Sequence, residues 1–253
     1  MSNLIIEELR EAEKYAIKKI SKGGLEVADL SRDNVAIIEA MIQHDSAYIN
    51  STNVESEKST AHCMIEFKKA VFSNNKTIDF NIILDAVVAV DRDNTTHLNS
   101  DGGGRKEISE RIHQLSTDKL VKFLYDPIGT NYELIDIICK KTNSERKPQR
   151  NISFASKFCH YAAFYFFEGN PQQDNFSIYD KVLQINLPRY LKFYGIEADI
   201  KTVEKEKNRD GYVSYQKAVD AVIKASGSRI SRNGFDHLVW YYYKGRKEMD
   251  LII

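Results

Sequence analysis

One lysine and one aspartate stand out by type and position. Lys157 lies in the most apolar and aromatic stretch of an otherwise polar chain, Asn151–Tyr190, NISFASKFCHYAAFYFFEGNPQQDNFSIYDKVLQINLPRY. Its neighbours include Phe154, Phe158, Tyr161 and Phe164, surroundings that disfavour a positive charge. A lysine desolvated in this way becomes an amine nucleophile, able to attack a sugar C1′ and form a Schiff base. Asp180 stands 23 residues later, where the next helix should begin. The orphan backbone N–H groups of a helix start favour a carboxylate there. A carboxylate near the reacting carbon helps to deprotonate the amine and offsets oxocarbenium charge. The plain alternatives are a lysine whose stem lies along a helix face and an aspartate that only caps a helix.

Helical periodicity positions both residues. Phe154–Phe167 and Asp180–Tyr194 read as two helices joined by the polar loop Glu168–Ser177. Near the N-terminus, Leu4–Ile20 sets Leu4, Ile5, Leu9, Ala12, Ala16, Ile17 and Ile20 close to one helical face, and Gly23-Gly24 is expected to stop that helix. A second helix starts near Ser31 and buries Val35, Ile37, Ile38, Met41 and Ile42, with Asn50–Ser59 a polar loop after it. A third runs from Thr60 to Phe72. Ile78–Val90 is β-branched enough for a strand, but its length and its helical neighbours favour a helix. Asp91–Lys106, DRDNTTHLNSDGGGRK, holds three consecutive glycines and is the expected mobile loop. Lys106–Leu115, Thr117–Tyr125 behind a Ser116 or Thr117 cap, and Asn131–Lys141 come next. Arg146, Lys147 and Arg150 then flank Pro148 in a basic link, and Ser214–Ala225 and Asn233–Lys244 are the last two helices.

Composition narrows the partners. Lys+Arg and Asp+Glu balance at 36 each, so any nucleic-acid surface must be a local patch. With 4 Pro and 12 Gly in 253 residues, turn-formers are scarce and a mainly helical protein is expected. Cys63, Cys139 and Cys159 have neither metal nor disulfide spacing, which fits a reducing cytoplasm. The N-terminal MSNLIIEELREAEKYAIKKI lacks the basic start and apolar run of a signal peptide. No stretch has the length of a membrane span, and no cofactor or metal is expected. Glu206–Val213 matches the first places of a calcium loop, but Lys217 occupies the place of the bidentate Glu, and Asp210-Gly211 reads as a turn. Asp91-Arg92-Asp93-Asn94 has a ligand-like start with its glycines misplaced.

The stretch ISFASKFCHYAAFYF…NPQQDNFSIYDKVL resembles the core of 8-oxoguanine DNA glycosylases of the helix-hairpin-helix superfamily. In that family a lysine opens a helix, and a Pro-containing loop leads to an Asp at the next helix start. Lys157 matches the Schiff-base lysine and Asp180 the catalytic aspartate. The SFASK…FxIYD pattern is similar to that of bacterial proteins with this fold. Some of them occur in anti-phage defence clusters, including cyclic-oligonucleotide signalling systems that carry deazaguanine-type enzymes. The family's hairpin before the lysine reads Gly-x-Gly and binds a DNA phosphate. Here the place reads Arg150-Asn151-Ile152-Ser153-Phe154-Ala155-Ser156, without glycine, as the archaeal branch also diverges there. Phosphate contacts would then come from Arg146, Lys147 and Arg150, which otherwise form a solvated basic linker.

A glycosylase must flip its base and hold it against apolar groups. Tyr161 occupies the next position on the face of Lys157, beside His160. Family members carry base-stacking residues on a late helix, which makes Phe235 and Trp240 candidates; aromatic groups at such spacing also pack in cores.

The resemblance implies an all-α, helix-hairpin-helix DNA glycosylase-like fold with a cleft between two helical subdomains. The chain would be one domain, 1–253, with subdomains 31–145 and 146–253 and an extension 1–30. The implied activity is that of a DNA N-glycosylase and AP lyase on oxidised or otherwise modified guanine. The missing glycines and zero net charge motivate a second expectation: a non-cleaving binder of a modified (deaza)guanine base, a nucleotide or a base-modified protein partner in a defence system. A helical scaffold with only a structural resemblance is the third.

Overall fold

The computed structural model describes residue 8 and residues 11–52, 59–73, 77–94, 96, 98, 103–142, 151–198 and 208–244. The protein is mostly helical, as expected, with one two-stranded sheet among the described residues. Along the chain follow β1 (Lys19–Lys22), β2 (Leu25–Ala28), α1 (Arg32–Thr52), α2 (Thr60–Phe72), α3 (Phe80–Asp93), α4 (Gly103–His113) and α5 (Thr117–Tyr125). Then come α6 (Glu133–Cys139), α7 (Ile152–Phe166), a 3-10 turn (Pro171–Gln173), α8 (Lys181–Tyr194), α9 (Arg209–Ser226) and α10 (Arg232–Tyr243).

Side-chain caps set many of these starts. Ser59 accepts from the His62 N–H, Asp79 from Asn81, Ser116 from Lys119 and Ser231 from Gly234, each supplying an acceptor to an orphan donor. The Asp79 cap explains why the β-branched run after it winds as a helix.

The hairpin corrects the expected first helix. Residues 11–15 are helical, but Ile20 lies in β1, which pairs antiparallel with β2, Lys22 opposite Leu25. Leu4, Ile5 and Leu9 lie outside the described residues. Gly23 and Gly24 do not end a helix; they form the two-residue turn, with φ of +58° and +80°. Two successive left-handed positions are what a tight hairpin of this twist demands, and glycine adopts them without strain.

Three loop boundaries also move. α1 continues to Thr52, into the expected Asn50–Ser59 loop. Asp91–Asp93 finish α3 and Gly103–Lys106 begin α4, so the expected mobile loop loses both ends to helices; 95, 97 and 99–102 lie outside the described residues. Asp210 and Gly211 sit in the first turn of α9 instead of an isolated turn, where Asn208 Oδ1 accepts from the Gly211 N–H at 2.9 Å.

The chain divides into two units built from separated stretches. Unit 1 comprises Met1–Asn53, Asp180–Ala198 and Lys217–Ile253; unit 2 comprises Val54–Tyr179 and Asp199–Gln216. These bounds differ from 31–145 and 146–253. In unit 1, α10 packs on α1 and α8, and β2 lies against α8 and α10. The Ala28 N–H donates to the Tyr243 hydroxyl oxygen at 3.2 Å, and its carbonyl accepts from the Tyr190 hydroxyl at 3.1 Å. Buried Asn34 ties the hairpin base: Nδ2 donates to the Lys18 and Asp29 carbonyls, and Oδ1 accepts from the Lys18 N–H. In unit 2, α7 is the central helix, with α2, α3, α5 and α6 packed on it. Phe67 of α2 meets Phe158 and Phe166 with ring centroids 6.0 and 5.3 Å apart.

Candidate active site

The helix that carries Lys157 is enclosed nearly all round: Ile152 and every residue from Phe154 to His160 are buried. Such a helix must be apolar on every face, and the SFASKFCHYAAF sequence is, apart from a few polar groups. Each of those groups that points inward needs a partner. Lys157 is 7% exposed, and its Nζ donates to the Asn94 backbone carbonyl at 3.3 Å. One turn later, the Tyr161 hydroxyl donates to Asn94 Oδ1 at 3.1 Å. A single residue therefore receives both side chains on its two oxygens.

Asn94 is itself held. It is the C-cap of α3, with its N–H and its Nδ2 both donating to the Val90 carbonyl, at 3.2 and 3.0 Å. Asp91, 2% exposed, accepts from Arg105 Nε at 2.7 Å, from the Leu98 N–H at 3.0 Å and from the Thr96 hydroxyl. Asp93 accepts from the Thr60 N–H and hydroxyl at 2.8 and 2.7 Å, anchoring the start of α2. Asp91-Arg92-Asp93-Asn94, ligand-like in sequence, is thus a bracket that ties the end of α3 to α2, to Thr96, Leu98 and Arg105, and to α7. Sequence reasoning missed this role for Asn94 and Arg105. The available signal was a cluster of short polar side chains at a helix end, where they bond to nearby backbone.

The second half of the SFASK…FxIYD pattern lies in a segment without regular secondary structure, as the expected loop leads into it. Residues 174–179 pair with no strand among the described residues, and Phe176–Tyr179 are buried. Buried backbone polar groups must find partners, and here side chains supply them. His160 Nδ1 lies 2.7 Å from the Phe176 carbonyl, so the Nδ1–H donates to it. Gln216 Nε2 donates to the Asn175 carbonyl at 2.8 Å, and Gln216 Oε1 accepts from the Ser177 N–H at 3.1 Å. The Tyr212 and Tyr215 hydroxyls donate to the Ser177 and Ile178 carbonyls at 2.9 and 2.6 Å. Ser156 Oγ accepts from the Tyr179 N–H and donates to the Ser153 carbonyl, both at 2.9 Å. The residue before Lys157 and the residue before Asp180 are therefore hydrogen-bonded to each other.

Asp180 is the N-cap of α8, 6% exposed, with Oδ1 accepting from the Leu183 N–H at 2.9 Å. Lys157, His160 and Tyr161 belong to unit 2, and Asp180, Phe235 and Trp240 to unit 1. His160 is buried, and its ring meets that of Tyr161 edge-on at 5.4 Å. Its bond to the Phe176 carbonyl places a proton on Nδ1. Phe235 is fully buried and packs edge-on against Tyr190 at 5.6 Å, a core position. Trp240 is half-buried, with Lys244 Nζ over its ring at 3.9 Å. Arg146, Lys147 and Arg150 lie outside the described residues. Burial pushes the Cys159 thiol well up, so thiolate chemistry beside Lys157 is disfavoured.

Chemically, unit 2 offers a buried lysine, a tyrosine hydroxyl and a histidine protonated on Nδ1 on one helix. Among the described residues, no group of three or more His, Cys, Asp or Glu could hold a metal ion, and no helix is long and apolar enough to cross a membrane. Set against protein families, curated proteins and solved structures, the chain matches none.

Proposed function

We propose that the protein removes a modified guanine from DNA, with Lys157 as the amine nucleophile and Asp180 as the assisting carboxylate. The observation that carries the reading is a lysine 7% exposed on the central helix of unit 2, in a motif similar to that of the 8-oxoguanine glycosylases. Lysines are almost never fully buried, and a buried titratable group in such a setting is a functional-site candidate. The Asn94 carbonyl supports it by accepting from Nζ at 3.3 Å, which orients the amine.

The reaction would run as follows. The Lys157 nitrogen bonds to C1′ as the N-glycosidic bond breaks, and the base leaves with that electron pair and takes up a proton. Loss of the amine protons and opening of the sugar ring give an imine to the enzyme. Loss of a C2′ proton then expels the 3′-phosphate, which nicks the strand, and water releases the lysine. Asp180 would accept the amine proton or offset the charge that develops at C1′. Tyr161 and His160 are the residues of α7 suited to meet the base, and Arg146, Lys147 and Arg150 those suited to meet phosphate. Modified guanine in phage or host DNA would be the target in a defence setting.

Borohydride trapping on a duplex containing 8-oxoguanine tests the reading. A covalent adduct is expected with the native protein and none with Lys157→Ala. Absence of an adduct and of base release from duplexes carrying oxidised or deazaguanine bases would overturn it. The second reading, a non-cleaving binder, is favoured by the zero net charge. It requires binding of free base or nucleoside, with duplex affinity that responds little to salt.

A further inference from the structure

Ser156 occupies a position that the proposed chemistry leaves without a role. It precedes Lys157, is fully buried, and bonds through one oxygen to two backbone groups. The Ser153 bond is local, within the first turn of α7. The Tyr179 bond reaches 23 residues along the chain, to the last residue before Asp180. Other bonds of the segment 175–179 hold Asn175, Phe176, Ser177 and Ile178. Ser156 alone among these partners holds the N–H of the residue that hands the chain to Asp180.

We infer that Ser156 is a positioning residue for the reaction, fixing through the Tyr179 N–H where the chain leaves the clamped segment for Asp180. The inference rests on the reading of Lys157 and Asp180 as the reacting pair. Its physical basis is directional. A hydroxyl that donates to Ser153 has its lone pairs turned to one place, and the Tyr179 N–H sits there at 2.9 Å. Removing the hydroxyl leaves a buried N–H without its partner, and the segment must shift to satisfy it. A displacement of about 1 Å in a reacting group costs up to about a hundredfold in rate.

Single-turnover borohydride trapping on a duplex with 8-oxoguanine opposite cytosine tests it, alongside duplex affinity and urea stability. Ser156→Ala should slow trapping about tenfold to a hundredfold while duplex affinity stays within about twofold. Ser156→Cys keeps the volume with a weak acceptor, so it should fold and still be slowed. Ser156→Thr keeps the hydroxyl and should recover most of the rate. Tyr212→Phe removes a comparable buried bond, at the Ser177 carbonyl, and serves as the control for simple loss of stability. Trapping by Ser156→Cys at the native rate, or equal slowing in Tyr212→Phe, would overturn the inference alone. A native protein that is never trapped would overturn the glycosylase reading and this inference with it.

Discussion

Each unit buries a piece of non-helical chain among helices, and the two pieces are satisfied in opposite ways. In unit 1, β1 and β2 bond to each other from Lys19–Ala28 to Lys22–Leu25, with added bonds from Asn34, Tyr190 and Tyr243 at the base and from Arg189 to the Glu26 carbonyl. In unit 2, residues 175–179 rely on Ser156, His160, Tyr212, Tyr215 and Gln216. A hairpin carries its own partner and can be placed wherever its apolar face fits. A single segment outside any sheet must be met by side chains on other elements, and this one leads into Asp180. The hairpin thus serves stability, and on the proposed function the clamped segment serves to place Asp180.

That contrast can be broken by measurement. Phe235→Ala should have the largest effect on stability, about 3–5 kcal/mol, because it opens a cavity beside Tyr190 under the hairpin. Urea unfolding checks this, and a loss of ligand binding with unchanged stability would instead make Phe235 a stacking residue. Asn34→Ala should cost about 2–3 kcal/mol, as three hydrogen bonds at the hairpin base are lost, with trapping per folded molecule unchanged.

A pH scan gives a smaller signal. Burial, reinforced by neighbouring tyrosines, holds the Tyr190 phenol well above its ordinary range. The folded protein keeps this group neutral while an unfolded tyrosine ionises near pH 10, at about its free value. Its stabilisation is therefore complete below about pH 10 and is lost as pH rises beyond it. Urea midpoints should fall above that pH, and less steeply in Tyr190→Phe. The smallest effect is expected from Tyr161→Phe, which removes the bond to Asn94 Oδ1 and should cost about 0.5–1.5 kcal/mol. If Tyr161 also meets the base, the same variant weakens ligand binding more than it weakens the fold.

Local pattern carried much of this architecture. α2, α3, α5 and α10 follow apolar spacing and short polar caps, both confined to a few adjacent residues. Asp180 as a helix cap was legible for the same reason, as was an apolar face around Lys157. The hairpin was not, because apolar residues at helical spacing run on through Ile17 and Ile20, and Gly23-Gly24 can punctuate either element. The clamp and the bracket were beyond reach for a different reason. Asn94 lies 63 residues from Lys157, and Tyr212 lies 35 from Ser177. Contacts at such separations leave no periodicity in the chain, and a tyrosine that donates to a distant carbonyl is written no differently from one that packs.

The clamped segment also bears on how the chain can change length. A strand in a sheet can slip by two residues and still present the same face, with like backbone partners. Residues 175–179 have no such freedom, because an amide, an imidazole, two phenols and a hydroxyl each match a particular backbone group. Residues inserted or deleted between Phe167 and Asp174 would be absorbed before the first matched group. The spacing between the lysine and the aspartate is thus free to drift among descendants of this chain, while Tyr179 and the residue after it stay in register.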